Sequence, residues 1–141
     1  MRVIGLDIGE KRIGVAFCDT KSSVSVPLKV IPAHEVMENS RAWRMLLEDN
    51  EPELLVCGLP KSMSGVHGKQ AARIKNIAER IAQTAQLPVE FFDERLSSAE
   101  AKRYLREQGL SEREMRGKLD SVAASLILES WLSRQNDGHH A

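Results

Sequence analysis

The first seventeen residues constrain the chain most. Val3, Ile4 and Leu6 make a short apolar run that ends on a carboxylate, Asp7. Ile13-Gly14-Val15-Ala16-Phe17 makes a second run, and Ile8-Gly9-Glu10-Lys11-Arg12 joins the two. Two apolar stretches of strand length around a glycine-bearing polar turn predict a β-hairpin. Asp7 stands where a buried strand reaches the surface. A carboxylate among apolar neighbours is costly to desolvate unless a cation, a donor or a metal compensates it. Gly9 and Gly14 predict tight turning or a close backbone approach to a ligand, and Lys11 and Arg12 put positive charge beside the acid. Two readings follow: a site that handles metal or phosphate, or a plain hairpin whose Asp7 closes a turn hydrogen bond.

Beyond a polar turn at 19–23, Val24, Val26, Leu28 and Val30 alternate with Ser25, Pro27 and Lys29. The period of two predicts a third strand, and Pro27 places it at a sheet edge. Three strands joined by short turns form an antiparallel meander. A helix follows Pro32 and Ala33, with Val36, Ser40, Trp43 and Leu47 on one face; Asp49-Asn50-Glu51-Pro52 ends it. Leu54-Leu55-Val56-Cys57 is apolar throughout, as in a strand buried on both faces and parallel to its neighbour. It leads through Gly58-Leu59-Pro60 into a polar loop over 61–69, at the end of a strand where α/β proteins hold ligands. His67 in that loop reads as a surface histidine.

A second helix runs from Gln70 to about Ala85, its apolar stripe being Ala71, Ile74, Ile77, Ala78 and Ile81. Lys69, Arg73 and Lys75 crowd its start, as a solvated face or as an anion-binding entrance. A fifth strand, Val89 to Phe92, again ends in acids, Asp93 and Glu94, with Arg95 beside them. Ser98 caps a third helix with Ala101, Tyr104 and Leu105 inward, and Ser111 to Glu114 has capping-box spacing. The last helix opens at Leu119-Asp120, with Leu119, Val122, Ala123, Leu126, Ile127 and Ser130 as its stripe. Asp120 either complements the positive helix end or faces the sheet beside Asp7. Residues 136–141 read as a disordered polar tail.

The order of elements is that of an α/β protein, and 141 residues fit one domain. Hydrophobic residues make up 42% of the chain and aromatic ones only 4%, so the core is aliphatic and alanine-rich. The 20 basic and 20 acidic residues cancel, which excludes a strongly basic clamp but not a locally basic surface. Cys18 and Cys57 lack metal-binding spacing and read as buried thiols in a reducing compartment. With no leader and no apolar run of membrane-spanning length, the expectation is a soluble cytoplasmic protein.

Asp7, Asp93 or Glu94, and Asp120 come from three elements whose ends can meet. Gathered carboxylates repel one another, and a divalent cation removes the conflict. Oxygen donors without imidazole or thiolate suit Mg²⁺ or Mn²⁺. One such ion, or a pair about 4 Å apart, activates water and stabilises the leaving oxygen in phosphodiester cleavage. Lys11, Arg12, Lys61, Arg95, Arg116 and Lys118 lie close in sequence to these acids and are candidates to hold substrate phosphates.

Four stretches also carry a family resemblance: 5–9 (Gly-Leu-Asp-Ile-Gly) with 12–16 (Arg-Ile-Gly-Val-Ala), 58–60 with 63–65, 93–98 (Asp-Glu-Arg-Leu-Ser-Ser) and 118–124 (Lys-Leu-Asp-Ser-Val-Ala-Ala). In this order they resemble the YqgF family, also called RuvX, of the ribonuclease H-like superfamily. The resemblance implies a five-stranded mixed sheet of order 3-2-1-4-5 flanked by helices, a single nuclease domain over 1–135, and a role in 5′-end maturation of pre-16S ribosomal RNA. Resolution of four-way DNA junctions is the alternative it implies. Asp7 carries over as central metal ligand, Asp93 or Glu94 as second acid, and Asp120 as helix-borne acid. Asp93 and Glu94 point to opposite sides of an extended chain, and the longer reach favours Glu94. Many ribonuclease H-like nucleases have four acids, one of them after the fourth strand or on the first helix; this chain has Gly58-Leu59-Pro60 there, leaving one-metal catalysis open. Expected partners are pre-rRNA or branched DNA and ribosomal particles, with the protein a monomer or weak homodimer. A third possibility is a non-catalytic nucleic-acid- or nucleotide-binding module, since the opening hairpin is also similar to the phosphate hairpin of actin-like ATPases.

Overall fold

The apolar runs form the five-stranded sheet that the resemblance implies. A computed structural model describes residues 1–22, 24–60, 66–94, 103, 106–111, 114 and 119–139, with the side chains of 66, 67, 93, 94 and 136–139 outside that description. The strands are β1 (Arg2–Ile8), β2 (Arg12–Asp19), β3 (Ser25–Pro32), β4 (Leu54–Pro60) and β5 (Val89–Glu94). The helices are α1 (Ala33–Met37), α2 (Arg41–Asn50), α3 (Val66–Ala85) and α4 (Leu119–His139). The sheet order is β3-β2-β1-β4-β5, with β1 to β3 an antiparallel meander and β4 and β5 parallel to β1.

Because successive side chains alternate, each central strand feeds two cores. Ile4, Leu6 and Ile8 of β1 join Ile13, Val15, Leu55, Cys57, Trp43, Ile74 and Ile81 on one face. Val3, Ala16 and Val56 join Ala124, Ile127, Leu128, Trp131 and Leu132 of α4 on the other. Burial on both sides explains why β1 and β4 read as continuous apolar runs. β3 is the edge strand expected from Pro27. The register shifts between Val15 and Ala16, so Pro27 sits beside a bulge on an edge strand, the setting in which a sheet accepts proline. Its apolar residues Val26 and Leu28 are exposed.

Several boundaries differ from the sequence reading. The helix expected after Ala33 is two helices. Asn39 takes φ 55° and Ser40 caps α2, its hydroxyl accepting from the Trp43 N–H at 3.4 Å. Trp43 is buried, as expected. α3 begins at Val66, four residues inside the stretch read as loop. α4 reaches His139, past the expected end at 135. Its inward face is wider than the expected stripe: Val122 and Ile127 are buried as expected, but so are Ser121, Ala124, Ser125, Leu128 and Leu132, and Val122 packs beside Leu110, Leu119 and Leu126 on a flank. Apolar residues surround this helix, so hydropathy alone does not select a face. The capping box is present: the Glu114 N–H donates to the Ser111 hydroxyl at 3.3 Å and the Ser111 N–H to a Glu114 carboxylate oxygen at 3.2 Å. The third helix expected from Ser98 lies largely outside the described residues.

Candidate active site

Asp7 is the penultimate residue of β1 and stands directly across from Gly14 of β2. Its place in the alternation, two residues beyond Gly5 and four beyond Val3, puts it on the sheet face that α4 covers. Gly14 is what lets α4 approach. A Cβ there would collide with the backbone carbonyl of Asp120 and the N–H of Ser121, so the first turn of α4 rests on bare strand backbone. Residues 106 positions apart are thereby joined at one corner, Asp120 lying over Gly14 and Gly14 beside Asp7. The close approach expected of Gly14 is real, but its partner is this helix. Gly9 serves the turn itself: its N–H donates to the Arg12 carbonyl at 2.9 Å.

The turn between β1 and β2 faces the same helix end. Gly9, Glu10, Lys11, Arg12 and Asp120 line a cleft of about 320 Å³. Arg12 donates its Nε–H to Asp120 Oδ2 at 3.2 Å, with Arg12 64% and Asp120 29% exposed. A pair this open to water adds little to stability; it sets where the two groups sit. The Lys11 carbonyl accepts from the Ala33 N–H at 2.8 Å, tying the turn to the start of α1. Asp120, in the first turn of its helix, is also placed to complement the positive end.

Cys57, level with Leu6 on the neighbouring strand, is fully buried. Burial and then the charge of Asp7 push its thiol up to about 12. Burial likewise raises Cys18 to about 11, so neither competes as a thiolate ligand. Among the described residues no three His, Cys, Asp or Glu side chains converge on a metal position. Asp93 pairs with Leu59 and Glu94 with Pro60. Glu94 shares strand parity with Phe92 and with Glu90, whose carboxylate accepts from Trp131 Nε1 of α4 at 3.2 Å. Lys61, Arg95, Arg116 and Lys118 lie outside the described residues. Glu10 is the lining residue that sequence reasoning passed over, because a turn acid looks the same whether it lines a cleft or faces water.

The model of the RuvX family, described as a Holliday junction resolvase, matches residues 1–134. The chain belongs to the RuvX family. An Anaeromyxobacter protein named "putative pre-16S rRNA nuclease" is 42% identical over 141 residues, spanning all of both chains. A Crocosphaera subtropica protein of the same name is 39% identical over 132 residues, 94% of this chain and 92% of that one. Among solved structures, Thermus thermophilus RuvC bound to a Holliday junction superposes with a TM-score of 0.57 at 15% identity, covering 90% of this chain and 92% of that one. The fowlpox virus Holliday junction resolvase gives 0.56 at 16%, covering 95% and 99%. At such identities these two show that the RuvX-family chain shares a ribonuclease H-like fold.

Proposed function

We propose that the chain is a nuclease that uses a divalent metal to hydrolyse phosphodiester bonds of structured RNA, in 5′-end processing of pre-16S rRNA during ribosome biogenesis. The names of its RuvX-family relatives support the substrate. The observation that supports the chemistry is the seating of the Asp120 backbone over Gly14, the strand partner of Asp7, which puts the first turn of an acid-bearing helix at the end of the Asp7 strand. Hard oxygen donors with both thiols buried and protonated fit Mg²⁺ or Mn²⁺. In this reading Asp7, Asp120 and Glu94 hold the cation, with Asp93 on the other strand parity. The cation, when bound, supplies an activated water and charge for the leaving oxygen.

The remaining roles belong to side chains of the turn and the loops. Arg12 fixes Asp120 through Nε and keeps further N–H donors for a substrate phosphate. Lys11 shares that cleft, and Lys61, Arg95 and Lys118, close in sequence to the acids, extend the phosphate contacts. One nuclease domain performs this work in the cytoplasm, on ribosomal particles. Among the described residues no helix is long and apolar enough to cross a membrane.

Asp7→Asn tests the reading: cleavage of a 5′-extended precursor RNA in Mg²⁺ should fall to background while the circular dichroism spectrum and melting temperature stay unchanged. Full cleavage by that variant overturns it. The family description and the RuvC-like fold favour one second reading, resolution of four-way DNA junctions. That chemistry needs paired nicks and so two copies of the site. Paired cleavage of a synthetic junction by a dimer, with the precursor RNA left intact, would select it.

A further inference from the structure

The charges of this chain cancel overall but not element by element. Between residues 66 and 85, α3 carries Lys69, Arg73, Lys75 and Arg80 against a lone acid, Glu79. Lys69, Arg73, Asn76 and Arg80 follow one another at spacings of four, three and four, which lays them along one stripe of the helix. Ile74, Ala78 and Ile81, on the far side, are buried in the core. Lys69, Asn76 and Arg80 are exposed and Arg73 is half-buried. Among the described residues none of the three cations is held in an ion pair. Lys75, off the stripe, lies 5.5 Å from the centroid of the Phe91 ring.

The position of the stripe follows from topology. β4 runs parallel to β1, so α3, which follows β4, enters at the edge where Asp7 ends its strand. α4 presents Asp120 at that same edge. From there the stripe runs back along the opposite face of the sheet. Eleven residues at 1.5 Å each make it about 16 Å long, matching some five steps of one nucleic-acid strand at about 3.4 Å. An acid on the stripe would repel a phosphate backbone, and its four positions hold none.

We propose that the outer stripe of α3 is a backbone track for the nucleic acid flanking the scissile phosphate, with Lys69, Arg73 and Arg80 each meeting a phosphate and Asn76 bonding to sugar or phosphate between them. This rests on the nuclease reading above and adds a surface remote from the acids. Such contacts carry no sequence information; they set affinity and hold the substrate in register. They predict preference for long substrates over short ones.

The experiment compares the cleavage-silent Asp7→Asn protein with the same protein carrying Lys69→Gln, Arg73→Gln and Arg80→Gln. Binding of a long RNA duplex is measured across a salt series. Each lost phosphate contact flattens the plot of log affinity against log salt by roughly 0.7 to 0.9, so losing three should lower the slope by about two to three. In the Asp7-containing background the triple substitution should leave cleavage of a short RNA intact and slow that of a long one. A charge-conserving triple variant, Lys69→Arg with Arg73→Lys and Arg80→Lys, should keep the parent slope. Removing Lys21, Lys29 and Arg41, which lie off α3, should not change it. An unchanged slope in the glutamine variant, or an equal loss in that control, overturns the track. Cleavage that persists in Asp7→Asn overturns the nuclease reading instead and leaves the slope as the measure of the stripe.

Discussion

At Asp7 one residue has consequences on two sides of the sheet. Its carboxylate lies on the α4 face, yet its charge reaches Cys57 and joins burial in raising that thiol from 9.0 to about 12. A thiol held protonated in the folded state and not in the unfolded one ties stability to pH. Below pH 9.0 both states bind the proton and stability is unaffected. Between 9.0 and about 12 the unfolded chain loses its proton first, so folding stability declines as pH rises through that window. Cys18 acts in the same direction up to about 11. Cys57→Ala should flatten the alkaline limb of a plot of denaturation midpoint against pH relative to the parent. The native thiol should also resist alkylation at about pH 8, below the range in which either state ionises. An unchanged limb would show that the Cys57 thiol titrates alike in both states.

At the scale of elements, α4 is placed by what the strands beneath it lack. Gly5 lies under Leu128, Gly58 under Ile127 and Gly14 under the Asp120 backbone. The three are not equivalent. A Cβ at Gly58 would come within 2.6 Å of Ile127 Cδ1, the end of a flexible side chain that can turn aside. At Gly14 the obstacle is backbone, and the helix itself must move. Gly14→Ala should therefore cost about 1–3 kcal/mol of stability and depress cleavage, by lifting Asp120 away from Asp7. Gly58→Ala should stay within about 1 kcal/mol of the parent. Equal effects of the two in urea denaturation would contradict this account.

These same elements show what the sequence made legible. Strand runs buried on both faces, the edge position of β3 and the carboxylates at strand ends follow from apolar continuity, Pro27 and the placement of Asp7. The face of α4 does not, because apolar side chains surround the helix, and its seat is set by strand glycines and by the buried Ser121, Ala124 and Ser125, which carry almost no hydropathy signal. The break at Asn39 was equally hidden: a left-handed asparagine before a serine cap looks like two polar residues inside an amphipathic pattern. The ion pair of Arg12 with Asp120 spans 108 residues and depends on that unforeseen helix seat.

For the whole molecule, the sheet divides labour between its faces. One face and α4 bring Asp7 and Asp120 to the rim; the other carries α3 with its excess of positive charge. A chain of zero net charge can serve a polyanionic substrate if its charges are sorted in this way. The central claim is that carboxylates from opposite ends of the sequence bind one cation together. Mn²⁺ titration followed by electron paramagnetic resonance tests it on the parent, Asp7→Asn, Asp120→Asn and the double variant. Each single substitution should weaken Mn²⁺ binding at least tenfold, and the double should be little worse than either. Asp120→Asn binding Mn²⁺ as tightly as the parent would contradict the shared site.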